Sequence, residues 1–261
     1  MMLAVFNKLD LATTPSKTAA RILRGQKIRV PVHAISNGVD TNRFHPDPET
    51  DRVGVRRKYN LAPERTLFLY VGRLDGEKRL DTLLDAVALL TRTDFLLAIA
   101  GHGRYEQSLR RHMQSLGLEG RVVFIGFVDS EDLPSLYNSA DIFVMPSPEE
   151  LQSIATLEAM ACGKPILAAD ARALPELVEP GVNGYLFQAC DAEDAARRME
   201  QIMNEHEKWA VMGQASYNLV QKHSLQNTIK HFEEHYKTVV EKIHLERKKS
   251  TATRKIANKS I

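Results

Sequence analysis

Residues 142–168 read IFVMPSPEELQSIATLEAMACGKPILA, and this stretch decides the fold. The apolar run 142–145 has the length of a buried strand, and Pro146-Ser147-Pro148 breaks it. Leu151, Ile154, Leu157 and Met160 then recur at helical spacing, Gly163 stops the helix, and 165–168 predicts a second buried strand. Strand, helix and strand in that order make a βαβ unit, the connection that a parallel pair requires. Its loop and helix carry two carboxylates, Glu150 and Glu158, eight residues apart. If that interval were all helix it would span roughly 12 Å. In an open α/β sheet, ligands lie in the crevice beyond the carboxyl ends of the strands, where Glu150 falls, and carboxylates there can hold hydroxyl groups. Acidic residues also favour the first turn of a helix because they complement its dipole, so spacing alone leaves both readings open.

The alternation extends on both sides. TLFLYV at 66–71 predicts a buried strand, followed by a helix over about 79–90 with Leu80, Leu83, Leu84, Val87 and Leu90 on one face. A strand at 95–100 precedes a helix at 105–116, a strand at 122–125 precedes a helix at about 132–138, and a last strand lies near 184–187. Strands alternating with helices over this length imply an α/β fold, a doubly wound, parallel, Rossmann-like sheet, here expected as one sheet from about Val32 to Phe187. Beyond Asp191 the chain reads as helical, with an amphipathic piece over 229–243 that carries Phe232, Tyr236, Val239 and Val240.

Between the first of those strands and its helix lies Gly72-Arg73-Leu74-Asp75-Gly76-Glu77-Lys78-Arg79. A Gly-rich turn entering a helix presents free backbone N–H groups and the positive end of the dipole, and Arg73 with Lys78 adds fixed positive charge. That combination suits a diphosphate. Surface loops also carry Arg and Lys for solubility, and the loop by itself does not choose between the two.

Composition sets bounds. With 261 residues, 43% of them hydrophobic, the chain has the material for one large α/β domain and an appendage. Two cysteines, Cys162 and Cys190, make neither a disulfide framework nor a metal cluster, which fits a reducing, cytoplasmic setting. No apolar run has the length of a membrane span, and the first residues lack a signal-peptide layout. The net charge of +2 hides an asymmetry: residues 245–261 hold six basic residues and one acid. Removing those from the chain's 35 basic and 33 acidic residues leaves 29 and 32, so the body is mildly acidic. The basic tail is expected to be disordered and solvated, with peripheral contact to an anionic inner membrane face as the other reading. Nucleic-acid binding is not expected, because the body is acidic and no recognition motif appears.

Several motifs, in order, carry a resemblance. Glu150 through Glu158, followed by Ala159-Met160-Ala161-Cys162-Gly163-Lys164-Pro165, resembles the E-x7-E signature of the retaining family 4 (group 1) glycosyltransferases. There the motif sits in the C-terminal, donor-binding half of a two-domain GT-B enzyme. Gln152-Ser153-Ile154 stand where that family usually has Gly-Phe-Gly or Gly-Leu-Val. The 71–78 segment is similar to the family's V-G-R-L-x-x-x-K, Gly101-His102-Gly103 to its G-x-G turn, and Gly126-Phe127-Val128 to a segment flanking the nucleotide base. His102 reads as a loop residue rather than a base catalyst. Val32 to Asp40 resembles the inter-domain segment I-x-N-G-V-D, and Thr14-Pro15-Ser16 the turn before the last helix of the acceptor half. Ala173-Leu174-Pro175-Glu176 also fits, with Arg172-Ala173 where a Gly-Gly pair is common.

The resemblance implies four segments: 1–31, the end of an acceptor domain with its linker; 32–223, a nucleotide-sugar-binding domain; 224–246, a C-terminal helix; and 247–261, the tail. It implies sugar transfer from a nucleotide diphosphate sugar to a hydroxyl, with retained configuration and without a metal or other cofactor. Arg73, Lys78 and Glu150 would be catalytic. Donor binding would fall to Gly72, Arg73, Lys78, Phe127, Val128, Glu150, Ser153, Ile154 and Glu158, with Glu158 on the ribose and Glu150 on the sugar. The acceptor half has no counterpart before Leu11, so a separate acceptor-domain partner is expected; the alternative is a non-catalytic nucleotide-sugar-binding module. The motifs do not identify the base, the sugar or the acceptor.

Overall fold

The computed structural model describes residue 5 and residues 7–257, with side chains through residue 245. Six parallel strands form the main sheet: β3 (Thr66–Val71), β4 (Phe95–Ala100), β5 (Val122–Gly126), β6 (Ile142–Met145), β7 (Ile166–Asp170) and β8 (Gly184–Gln188). Their spatial order is β5-β4-β3-β6-β7-β8, so the chain winds outward from β3 in one direction, returns to β3's other side, and winds outward again. The switch point lies between β3 and β6, where Phe68 pairs with Ile142 and Leu69 with Phe143. The central strands are unbroken apolar runs because helices cover both faces of a parallel sheet. Phe68, Leu69 and Tyr70 on β3 and Phe143 and Val144 on β6 have no exposed surface.

The covering helices are α2 (Arg52–Lys58), α3 (Leu80–Leu89), α4 (Glu106–Ser115), α5 (Leu133–Ser139), α6 (Ile154–Ala161), α7 (Ala192–Asn204) and α8 (Trp209–Val220). Each strand and helix expected from periodicity is present within a few residues. One boundary differs in a way that matters. Leu151 was placed on the helix of the opening stretch, yet α6 begins at Ile154, because the Ser153 hydroxyl accepts the Thr156 N–H and caps the helix there. Leu151 is consequently exposed on the loop, and only part of the Glu150 to Glu158 interval is helical.

The first strands also depart from expectation. The main sheet does not start at Val32 as the sequence predicts: β2 (Val32–Ala34) pairs in parallel with β1 (Ala12–Thr14) as a separate two-stranded sheet. The connection between them includes α1 (Lys17–Arg24) and is long enough for a parallel crossover, so β2 returns beside β1. Ala12, Ala20 and Val32 form this module's own small core. Glu176, in the loop after β7, accepts hydrogen bonds from the backbone N–H groups of Lys17 (3.0 Å) and Thr18 (2.7 Å) and so caps α1 from the main domain.

The last helix, α9 (Leu225–Ala257), continues past the 224–246 span assigned from sequence. No Gly or Pro occurs after Gly213 to stop it, and at 33 residues it is roughly 50 Å long. The basic tail's side chains lie outside the described residues, as do residues 258–261 entirely. Among the described residues no helix is long and apolar enough to cross a membrane. At the start of α9, Val39 and His223 are joined by a backbone hydrogen bond of 2.9 Å, and both ring nitrogens of His223 are buried without a partner. Burial, with Lys222 adding repulsion, pushes the His223 imidazole down to about 4.

Candidate functional site

Parallel strands put the loops that follow them on one edge, so the loops after β3 and β6 face each other at the switch point. The first carries Arg73 and Lys78, the second Glu150, and they meet there. Lys78 Nζ lies 2.5 Å from Glu150 Oε1, with both side chains largely buried, at 17% and 10% exposure. Arg73 is turned elsewhere: its guanidinium forks to Asp75 and Glu77 of its own loop and is 65% exposed. Asp75 is itself buried and approaches the Arg104 N–H at 3.4 Å.

Close backbone packing fixes the loop after β3. Leu74 N–H donates to the His102 carbonyl and Tyr105 N–H to the Leu74 carbonyl, both at 2.9 Å. A Cβ on Gly101 would lie 1.9 Å from the Gly72 carbonyl oxygen, and one on Gly103 would lie 2.3 Å from that of Leu74. Only glycine lets the two loops touch, which is the physical content of the G-x-G turn. From beneath, the Tyr70 hydroxyl donates to the Arg73 carbonyl at 2.8 Å. Burial pushes the Tyr70 phenol up, and the Glu150 carboxylate pushes it further.

Glu150 is held from its other side, because its carbonyl accepts the Ala173 N–H at 3.1 Å. Its neighbour Glu149 pairs with Arg172 at 3.2 Å. After Ser153, the N–H groups of Ile154 and Ala155 are the first in α6 and have no acceptor within the helix, so this end can receive an anion. The Ser153 hydroxyl is occupied by its bonds with Thr156, while Ile154 is partly exposed. Gln152, in place of the family's small residue, bridges to the segment after β2: its amide donates to Ser36 Oγ at 2.9 Å and accepts the Asn37 N–H at 2.8 Å.

Glu158 sits little more than one turn into α6, half-buried, and accepts the Tyr137 hydroxyl at 2.8 Å. Burial raises its carboxyl above the usual range, opposed by the Tyr137 bond and by Arg43. Phe127 and Val128 part company. Phe127 is 68% exposed and stacks on His102 with ring planes 8° apart, whereas Val128 is buried in the core and offers a ligand only its backbone. His102 Nε2 accepts the Phe127 N–H at 3.0 Å, which leaves Nδ1 to donate to Glu106 at 3.2 Å; both nitrogens serve the loop.

The structure therefore brings Lys78 and Glu150 together and places Gly72, Arg73, Ile154 and Glu158 on the same side of the sheet. Sequence reasoning missed Tyr70, Tyr137 and Gln152 as the residues that position this group. Tyr137 is 21 residues from Glu158 and Gln152 is 116 from Ser36, so no local pattern announces either contact.

Residues 52–219 match the family described as "Glycosyl transferases group 1". The chain is 29% identical over 219 residues to sulfoquinovosyl transferase SQD2 of Arabidopsis thaliana, covering 82% of this chain and 42% of that protein. It superposes on the Anabaena protein HepE in complex with UDP with a TM-score of 0.83 at 25% identity, covering 90% of this chain and 66% of HepE. A crystal structure of the C-terminal domain of a group 1 glycosyl transferase from Francisella tularensis is covered completely, with a TM-score of 0.64, 26% identity and 72% of this chain. The chain spans about half the length of the curated relatives it matches, 42% to 57% of the first three.

Proposed function

Because the chain belongs to the group 1 glycosyl transferases, we propose that it is the donor-binding, C-terminal half of a retaining family 4 enzyme of the GT-B fold. In this reading it binds a nucleotide diphosphate sugar and, with an acceptor-binding part, transfers the sugar to a hydroxyl with retained configuration. The observation that carries the reading is the Lys78–Glu150 pair across the switch point. A cation and a carboxylate held side by side there suit a substrate whose diphosphate and sugar hydroxyls are also side by side. HepE, which shares the fold, was crystallised with UDP and with UDP-glucose, and this supports a nucleotide sugar as the ligand class.

The roles follow from chemistry and position. Lys78 takes the developing charge of the departing diphosphate, helped by the free N–H groups of Ile154 and Ala155 and by Arg73 once it leaves its loop carboxylates. Removing one such preorganised donor typically costs about 3 to 4 kcal/mol of transition-state stabilisation. Glu150, released from Lys78 by the diphosphate, accepts hydroxyls of the transferred sugar. Glu158, fixed on α6 by Tyr137, accepts those of the ribose. Phe127 stands by the base. No metal is assigned a role.

Calorimetric titration of the chain with UDP, GDP and ADP tests the reading. At least one binds, and the Lys78→Ala variant binds it more weakly. No heat with any of the three, in a chain shown to be folded, would overturn it.

A further inference from the structure

Arg172 departs from the family pattern, and the structure shows what that departure puts in place. It has φ of +50°, a left-handed conformation that glycine adopts freely and an L side chain adopts only against steric resistance. Residues held in such conformations cluster at ligand-binding and active sites. That side chain is 44% exposed, and the next residue, Ala173, holds the Glu150 carbonyl, so Arg172 borders the crevice directly.

Across from it lies α1. Thr18, Arg21, Ile22, Gly25, Gln26 and Arg172 line one open groove of about 520 Å3, with two arginines and no carboxylate among its lining residues. Arg21 donates to Thr18 Oγ1 at 2.8 Å and is in no ion pair among the described residues. Of the acids nearby, Glu176 caps α1, and Glu149 pairs with Arg172, so a phosphate that takes this guanidinium displaces Glu149 from it. Arg21 thus gives the groove one guanidinium without an ion pair among the described residues, and Arg172 a second whose carboxylate partner is the exposed Glu149; both have the form that matches phosphate oxygens two at a time.

We propose that this groove is an anion subsite for the acceptor: it takes a phosphate ester borne by the hydroxyl compound that receives the sugar. The groove is built where α1 and the loop after β7 meet, beside Glu149 and Glu150, so a phosphate bound there leaves the rest of the acceptor at the crevice. The assignment to an acceptor rests on the donor-domain reading above. A soluble sugar phosphate and a phospholipid headgroup present the same group, and the experiment separates them.

The test titrates the 261-residue chain with glucose 6-phosphate, with glucose, and with phosphatidylcholine vesicles with or without phosphatidylinositol. Glucose 6-phosphate or the phosphatidylinositol vesicles bind, glucose and plain vesicles do not, and Arg172→Gly and Arg21→Gln each weaken the bound form by about tenfold or more. Glycine accepts the backbone at 172 without strain, so that variant folds, as its melting transition checks. No uptake of either phosphate ester, or uptake unchanged in both variants, overturns the subsite. Titration of the same sample with UDP, GDP and ADP reads the donor site separately. Nucleotide uptake without phosphate-ester uptake sinks the groove alone, whereas phosphate-ester uptake without nucleotide uptake sinks its role as an acceptor site.

Discussion

Lys78 Nζ and Glu150 Oε1 lie 2.5 Å apart, and each is the other's only ion-pair partner among the described residues. A diphosphate that reaches Lys78 must displace Glu150, so the two compete for one cation. The Glu150→Gln variant is therefore expected to bind a free nucleoside diphosphate more tightly, by about 1 kcal/mol, and to gain less with the intact sugar nucleotide, whose sugar contact it has lost. Calorimetry on both ligands checks this; weaker binding of the free diphosphate in that variant would contradict the competition. Lys78→Ala leaves a largely buried carboxylate unpaired and should cost up to about 3 kcal/mol of folding stability, read from urea midpoints.

Glu158 predicts a pH effect as well as a binding loss. Its carboxyl is raised above the ordinary 4.5 by burial, so just above 4.5 the folded state holds more protons than the unfolded chain. Stability is then lost as pH rises through the raised value. A Glu158→Gln variant lacks this term, and its stability relative to the wild type should climb with pH across that window in urea titrations. Glu158→Ala should weaken a nucleoside diphosphate by about 1.5 to 3 kcal/mol if the carboxylate holds the ribose.

At Gly101, φ is +130° and an added Cβ meets the Gly72 carbonyl at 1.9 Å. Neither problem relaxes without moving the loop that carries Arg73 and Lys78. Gly101→Ala is expected to lower stability by about 3 kcal/mol and to weaken nucleoside diphosphate binding, with the thermal midpoint and calorimetry as readouts. A variant with native stability would show that the two loops can separate freely.

His223 makes the opposite pH prediction to Glu158. Its imidazole titrates at about 4 in the fold against an ordinary 6.5, so between those values the unfolded chain binds more protons. Stability contributed by the neutral ring is present above 6.5 and lost as pH falls toward 4. A His223→Leu variant should lose less stability than the wild type over that interval, measured as the difference in urea midpoint at several pH values.

The fold was legible because buried parallel strands leave unmistakable apolar runs, and six of them stand in the sequence between breaks. What failed were choices between a local and a distant partner. Leu151 satisfied helical periodicity, but Ser153 caps α6 and that bond decides where the helix starts. Val32–Ala34 has the look of a strand and is one, yet its partner is Ala12–Thr14, a pairing that no property of the three residues announces. Within the site, Glu150, Lys78 and Glu158 stood out by type and spacing. Their mutual arrangement did not, because the Lys78 contact joins residues 72 apart and the Tyr137 contact depends on how α5 packs beside α6.

The cap that Glu176 places on α1 bears on where this chain can be cut. Trimming away the residues before Val32 would remove β1, leave β2 an unpaired edge, and deprive the Glu176 carboxylate of both its amide donors in the loop beside Glu150. A fragment that keeps this cap in place therefore starts no later than Ala12, and a shorter one leaves the loop beside Glu150 without it, at the place where ligand is to be measured.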